Sequence, residues 1–97
     1  MTGIGVAVAW VDGALEVSGE VDAATCDVLA RAIAEHAAAT RRVVVDMSRC
    51  AFCDSSCLRC LIDPAVAGIT VIVRRPSPAV RKVLALTGID ELLTIED

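Results

Sequence analysis

The residues of this chain that are best suited to chemistry lie between positions 50 and 60. Asp54, Ser55 and Ser56 stand directly before residues with helical apolar spacing. Their side-chain oxygens can accept hydrogen bonds from the unpaired N–H groups of a helix's first turn. The pattern therefore predicts a helix N-cap, and it also leaves hydroxyl groups that a partner could modify.

Four cysteines surround these serines with the spacing C-x2-C-x3-C-x2-C: Cys50, Cys53, Cys57 and Cys60. A zinc site needs four thiolates converging at about 2.3 Å, and three residues between the two pairs leave too little chain for them to face each other. The spacing fits neither common ferredoxin pattern, and neither intervening dipeptide is typical of a thioredoxin-type site. We expect no metal site. The cysteines are expected to pack as small hydrophobic residues, with redox sensing as the alternative.

The elements that position these residues can be predicted from periodicity. Residues 43–45 form a β-branched run without polar alternation, which indicates a central strand covered on both faces, followed by a short polar connection. The helix that begins near Ser55 should end or kink early at Pro64, because proline lacks a backbone N–H and clashes with the preceding turn.

Two strands, over 5–11 and 14–18, are predicted to flank a hairpin turn at Asp12-Gly13. The chain should then turn through residues 19–22 into a first helix with Asp22 as N-cap. A strand over 69–73 and a helix with Ser77 as N-cap, Pro78 as first residue and Gly88 beyond its end complete the pattern. A last turn over 90–93 and an edge segment over 93–95 follow.

The order β-β-α-β-α-β-α predicts an α/β fold, with helices packed against a mixed β-sheet. The 97 residues should form one domain over 1–97, and a hydrophobic content of 56% is ample for a core. A net charge of −4 without a basic cluster argues against direct binding to nucleic acid. No membrane span or secretory signal is visible, so a cytoplasmic location is expected.

Three segments carry a resemblance to a known family. Residues 46–58, D-M-S-R-C-A-F-C-D-S-S-C-L, resemble the D-L-S-x-x-x-F-x-D-S-S-G-L signature of the STAS domain, the family of bacterial anti-sigma-factor antagonists. Residues 19–25 resemble the family's G-E-L-D-x-x-T, and residues 76–88 resemble its last-helix signature. The three segments follow the family's order and span most of the chain, and the resemblance implies the STAS fold.

The resemblance also implies a phosphorylation switch at Ser55, with Ser56 as the second candidate and Asp54 supporting the switch. The unphosphorylated protein would bind an anti-sigma factor that is also a kinase, and so free a sigma factor, for example in a stress response. Phosphorylation would release the partner, and a phosphatase would reset the protein. By the same resemblance the partner-binding residues are Glu20, Val21, Asp22, Thr25, Ser55, Ser56 and Cys57.

No constellation typical of a catalytic site is present, so no enzymatic activity and no intrinsic cofactor are expected; Mg-ATP would belong to the kinase. A monomer is expected. Cys57 is the first candidate redox sensor because it lies in the first helical turn beside Ser55. A STAS-like accessory subunit of a membrane transporter remains an alternative. It is supported by Cys57 in place of the family's glycine and by the early end expected for the helix after Ser55, which in the family is usually several residues longer. A thiol-redox protein is a third reading.

Overall fold

The computed structural model describes residues 5–97, apart from the side chain of Asp90. Residues 1–4 of the domain predicted over 1–97 lie outside the described residues. The elements follow one another in this order: β1 (Val6–Val11), β2 (Ala14–Val21), α1 (Cys26–Thr40), β3 (Arg42–Cys53), α2 (Ser55–Val66), β4 (Thr70–Arg74), α3 (Pro78–Thr87), a short 3₁₀ helix (Ile89–Glu91) and β5 (Thr94–Glu96).

The strands form one five-stranded sheet in the order β1-β2-β3-β4-β5. β1 and β2 are antiparallel, whereas the pairs from β2 to β5 are parallel. Parallel neighbours cannot be joined by a tight turn, and here α1, α2 and α3 provide the connections. The predicted α/β fold with a mixed sheet is confirmed.

The first hairpin shows why its two turn residues were informative. Asp12 and Gly13 both have positive φ values, 50° and 81°. Both central residues of a type I′ turn need this conformation, and the twist of that turn matches the twist of the flanking strands. Val11 pairs with Ala14 directly across the turn, as the Asp12-Gly13 signal predicts.

The core lies on one face of the sheet. Side chains from all three helices, including Leu29, Leu61 and Val80, share a buried cluster with strand residues such as Val45 and Val73. Because strand side chains alternate between faces, a second and smaller cluster lies on the other face: Ala14, Val44 and Ile72. Val43, Val44 and Val45 are all buried in the middle strand, which confirms the predicted central strand.

β3 is longer than predicted, and the polar connection expected after residue 45 is wrong. β3 continues to Cys53 because β2, which itself reaches Val21, pairs with it along this extension. On the other side of β3, β4 ends at Arg74, and beyond this point Ser77, at the start of α3, donates hydrogen bonds to β3. The Ser77 backbone N–H donates to the Met47 carbonyl oxygen at 3.1 Å, and the Ser77 hydroxyl donates to the Cys50 carbonyl oxygen at 2.6 Å.

Pro64 does not end α2 at once, since the helix continues for two more residues and ends at Val66. Pro64 lies in the last turn, where it removes a single backbone donor. The carbonyl oxygens of this end are satisfied locally: Asp63 accepts from Ala67 at 3.1 Å, and Pro64 accepts from Ile69 at 3.0 Å.

α3 begins and ends as predicted. The Ser77 hydroxyl accepts a hydrogen bond from the Val80 N–H at 3.3 Å, Pro78 is the first helical residue, and Gly88 follows the helix with φ of 70°. The last turn, over Ile89–Glu91, begins one residue and ends two residues before its expected position, and the final strand, over Thr94–Glu96, lies one residue later than expected. None of the helices in residues 5–97 combines the length and the apolar character that crossing a membrane would require.

Candidate functional site

The candidate site lies at the edge of the sheet where β2 and β3 end. Glu20 is paired with Phe52, and Val21 is paired with Cys53. Parallel strands present their carboxyl ends on the same edge, so the residues that follow β2 lie beside those that follow β3. The structure therefore brings the segment around Asp22 next to the serines.

Asp54 caps α2 through its side chain. Its Oδ1 accepts hydrogen bonds from the backbone N–H groups of Ser56 at 2.9 Å and Cys57 at 3.3 Å. The capping role that the sequence left open between Asp54 and the serines thus belongs to Asp54. Ser55 is the first residue of the helix and is exposed, and within residues 5–97 its hydroxyl makes no hydrogen bond. Ser56 is half-buried.

The turn after β2 is held by Asp22 and Thr25. Asp22 Oδ1 accepts from the backbone N–H groups of Ala24 at 2.9 Å and Thr25 at 3.2 Å, while the Thr25 hydroxyl donates to the Glu20 carbonyl oxygen at 2.8 Å. The N-cap position of α1 is Thr25, which makes no side-chain capping bond, so the predicted N-cap at Asp22 is wrong by one turn. Glu20 and Asp22 remain half-exposed.

Gly19 is required where β2 approaches the beginning of β1. Its φ is +96°, and a Cβ at this position would overlap the carbonyl oxygen of Gly5. The same carbonyl oxygen accepts a hydrogen bond from the Glu20 N–H at 2.9 Å. Close backbone contact therefore fixes the path of the chain just before the turn.

Two of the residues that the resemblance assigned to partner binding belong to the core. The side chains of Val21 and Cys57 are completely buried, so neither can contact a partner. Cys50 and Cys53 are buried in the same cluster. Hydrogen bonding to the thiols of Cys50 and Cys53, together with burial, raises the pKa of Cys57. Burial and a raised pKa both disfavour its reaction with an oxidant.

Metal chemistry finds no support in the described part of the chain. Residues 5–97 contain no group of three or more His, Cys, Asp or Glu side chains arranged to hold a metal ion. The five cysteines, Cys26, Cys50, Cys53, Cys57 and Cys60, are all free thiols.

Two exposed residues beside Ser55 escaped the sequence analysis. Phe52 is 46% exposed at the end of β3, although an aromatic side chain usually lies inside. Arg59 is exposed four residues after Ser55, on the same face of α2. The S-x-x-x-R spacing could have identified Arg59, whereas the exposure of Phe52 depends on the unpredicted extension of β3.

A groove of about 430 Å³ runs between α1 and α2 beside the serines. Its lining is mainly apolar and includes Ile33 and Ile69, and Ser56 and Arg59 contribute from the site. Cys26 and Cys60 also line it. No sequence signal pointed to Cys26, because it lies outside the four-cysteine pattern and reaches Cys60 only through the packing of the two helices.

Comparison with known proteins agrees with this geometry. The family model described as "Mlab, STAS domain" matches residues 4–94. Among curated protein sequences, none matches the chain.

Solved structures are similar over nearly the whole chain. A crystal structure of an anti-sigma factor antagonist from Mycobacterium paratuberculosis is 29% identical, with a TM-score of 0.78, over 94% of this chain and 83% of that one. SpoIIAA in its unphosphorylated form, an anti-sigma factor antagonist, is 20% identical over 95% of this chain and 88% of its own, with a TM-score of 0.68. The phosphorylated form of the Bacillus cell fate determinant SpoIIAA is 19% identical, with a TM-score of 0.61, over 95% of this chain and 91% of its own.

Proposed function

Because this chain belongs to the STAS-domain family, we propose that it is an anti-sigma-factor antagonist whose binding is switched by phosphorylation of Ser55. The observation that carries the proposal is the exposed hydroxyl of Ser55 at the start of α2, which makes no hydrogen bond to any of the residues that the structure describes. The partner is an anti-sigma factor that is also a kinase. The likeness to an antagonist of 29% identity supports this class of partner.

The start of α2 suits a phosphate. The positive end of the helix dipole favours an anion at this position. Arg59 lies one turn along the same face and offers a guanidinium for charge-assisted hydrogen bonds. Asp54 opposes the phosphate electrostatically, but its Oδ1 is already engaged by two backbone N–H groups. Phosphorylation should therefore leave the fold intact.

The effect of phosphorylation falls on the docking surface, which we define as Glu20, Asp22, Phe52 and Ser55. Two of these side chains are acidic, and Phe52, three residues before Ser55, supplies exposed apolar area. Phosphorylation adds about −1.5 to −2 charges, which a partner must desolvate or oppose when it docks. The unphosphorylated form binds the kinase and frees the sigma factor, the phosphorylated form dissociates, and a phosphatase restores binding.

On this proposal the protein acts in the cytoplasm, as a monomer that binds rather than catalyses. Mg-ATP is used by the partner kinase, so the chain needs no cofactor of its own. Val21 and Cys57 contribute to this function only by packing beneath the surface.

The test is a binding and phosphorylation experiment with the anti-sigma kinase encoded by the same organism. We expect Mg-ATP to label wild type and Ser56→Ala but not Ser55→Ala. Ser55→Glu should bind the kinase at least about tenfold more weakly than wild type, which corresponds to about 1.4 kcal/mol. Thr94→Glu is the charge-matched control, because Thr94 is exposed on β5 at the far edge of the sheet. Equal binding by Ser55→Glu and wild type would refute the switch.

The alternative is a STAS-like accessory subunit of a membrane transporter. It predicts that transporter subunits are captured from lysate equally by wild type and Ser55→Glu. The switch proposal predicts that only wild type captures the kinase. A single pull-down, with the captured proteins identified by mass spectrometry, distinguishes the two functions.

A further inference from the structure

Two of the five cysteines differ from the others in their surroundings. Cys50, Cys53 and Cys57 are buried in the core, whereas Cys26 and Cys60 are half-exposed. Both half-exposed thiols line the groove between α1 and α2, together with Ser56 from the candidate site. They are therefore the two cysteines that a small oxidant can reach.

Cys26 and Cys60 also lie against each other, although they are far apart in the sequence. The Cys60 thiol donates to the backbone carbonyl oxygen of Cys26 with a sulfur-to-oxygen distance of 3.4 Å. The Cys26 thiol donates to the Ala23 carbonyl oxygen at 3.7 Å, a weak contact just before the start of α1. A hydrogen bond between the two thiols is among the causes that raise the pKa of Cys60, so the two side chains are neighbours.

The two thiols have different environments. Burial, followed by the neighbouring Cys26 thiol and the carboxylates of Asp63 and Asp27, raises the pKa of Cys60 to about 11. Cys60 is therefore protonated at neutral pH. Cys26 is the first residue of α1 and is half-exposed, so an oxidant in the groove reaches its thiol. Cys26 is thus placed to react first with an oxidant, and Cys60, which lies against it, is placed to react with the product.

We propose that Cys26 and Cys60 form a peroxide-sensitive thiol pair, which oxidises to a disulfide that links α1 to α2 across the groove beside Ser56.

The chemistry proceeds in two steps with hydrogen peroxide as the oxidant. Cys26 first releases its proton to solvent. The Cys26 thiolate then attacks one peroxide oxygen, the O–O bond breaks, and Cys26 becomes a sulfenic acid, while the hydroxide that leaves takes up the released proton and becomes water. The Cys60 sulfur then attacks the sulfenic sulfur, and the S–O bond breaks. The Cys60 proton leaves with the hydroxyl group as water. In total, two thiols and one peroxide give one disulfide and two molecules of water.

A consequence for regulation rests on the proposed function. Cys26 directly follows the turn held by Asp22 and Thr25, and Cys60 lies on the helix that begins at Ser55. A disulfide between them would join the two segments that form the docking surface. Oxidation would then change kinase binding independently of phosphorylation.

The test maps the disulfide in the free protein, so it needs no partner and can fail independently of the proposed function. Trypsin cleaves after Arg31, Arg49, Arg59 and Arg74, which separates Cys26, in peptide 1–31, from Cys60, in peptide 60–74. The three buried cysteines remain together in peptide 50–59. After peroxide treatment of the folded protein, we expect free thiols to fall from five to three per chain and the first two peptides to be joined.

Variants provide the controls. Cys26→Ser and Cys60→Ser should both abolish the joined peptides, while Cys53→Ala should retain them, and Cys60→Ala is the second variant if the serine perturbs folding. Circular dichroism confirms that each variant is folded. Joining of peptide 50–59 to either partner, oxidation within it alone, or five thiols that stay reduced would overturn the proposal. Kinase binding by oxidised and reduced Ser55→Ala then measures the regulatory consequence without phosphorylation.

Discussion

The starts of α2 and α3 use serine in opposite ways. At α3 the Ser77 hydroxyl is buried and fully engaged, since it accepts from Val80 N–H at 3.3 Å and donates to the Cys50 carbonyl oxygen at 2.6 Å. At α2 the capping role belongs to Asp54, and Ser55 is left exposed as the first helical residue. One serine holds the structure together, and the other is accessible from outside.

The difference shows that a serine at a helix start is not by itself informative about function. What matters is whether another group already satisfies the first-turn N–H groups. Where a neighbouring aspartate does so, as Asp54 does, the serine hydroxyl is released from a structural role. Substitutions at the two helix starts should therefore separate stability from regulation.

The largest expected effect comes from Ser77→Ala. This change removes the cap of α3 and leaves the buried Cys50 carbonyl oxygen without its donor, so we expect a loss of about 2 kcal/mol in the free energy of unfolding. Ser55→Ala should change it by less than about 0.5 kcal/mol, as is usual for exposed positions. Urea unfolding, followed by fluorescence of Trp10, the only tryptophan, measures both. Equal losses in the two variants would remove the distinction between the serines.

A smaller effect is expected from Asp46→Asn, which acts on the start of α3 through Arg75, the ion-pair partner of Asp46. The buried carboxylate of Asp46 accepts from the Ser48 N–H at 3.0 Å and pairs with Arg75, two residues before Ser77. Replacing the carboxylate weakens these charge-assisted hydrogen bonds, so we expect a loss of about 1.5 kcal/mol in the free energy of unfolding at neutral pH.

The Asp46 effect should depend on pH. Burial by itself raises the pKa of Asp46, but hydrogen bonds from Ser48 and the guanidinium of Arg75 outweigh it, so the folded-state pKa lies below its ordinary value. A carboxyl group with a lowered folded-state pKa stabilises the fold fully at pH values above its unfolded-state pKa, which is about 4. This stabilisation is lost as the pH falls through the folded-state pKa. The difference between wild type and Asp46→Asn should therefore shrink below about pH 4. A constant difference across the acid range would contradict this account.

The smallest effect concerns the α2 start when Ser55 is phosphorylated. The helix dipole and Arg59 should stabilise the phosphorylated protein by about 0.3–1 kcal/mol relative to the unmodified one. Arg59→Gln should reduce this gain, whereas Arg81→Gln, an exposed change on α3, should not. Thermal unfolding at low ionic strength measures the differences, and a clear destabilisation by the phosphate would show that Asp54 dominates the local field.

The sequence was most informative where a local rule acts within a few residues. Asp12-Gly13 indicated the hairpin turn, and Ser77-Pro78 with Gly88 marked both ends of α3, because each depends on backbone conformation or capping inside a single turn. Asp54 was correctly placed at a helix start for the same reason.

Errors arose where tertiary pairing overrides local preference. The polar residues after Val45 suggested a connection, yet β2 and the start of α3 supply hydrogen-bonding partners that keep β3 extended to Cys53. Pro64 suggested a helix end, but its position in the last turn makes it tolerable. The closeness of Cys26 and Cys60 follows from helix packing alone, which no spacing in the sequence reports.

The parallel pairing of β2 with β3 has a kinetic consequence. Glu20 and Phe52 become neighbours only when strands separated by the whole of α1 have come together, a non-local contact of the kind that slows folding. An unfolded or newly synthesised chain carries the D-S-S sequence without the surface around it. A short peptide spanning Ser55 would therefore be a poor mimic of the docking surface. A partner that binds this surface binds only chains that have folded.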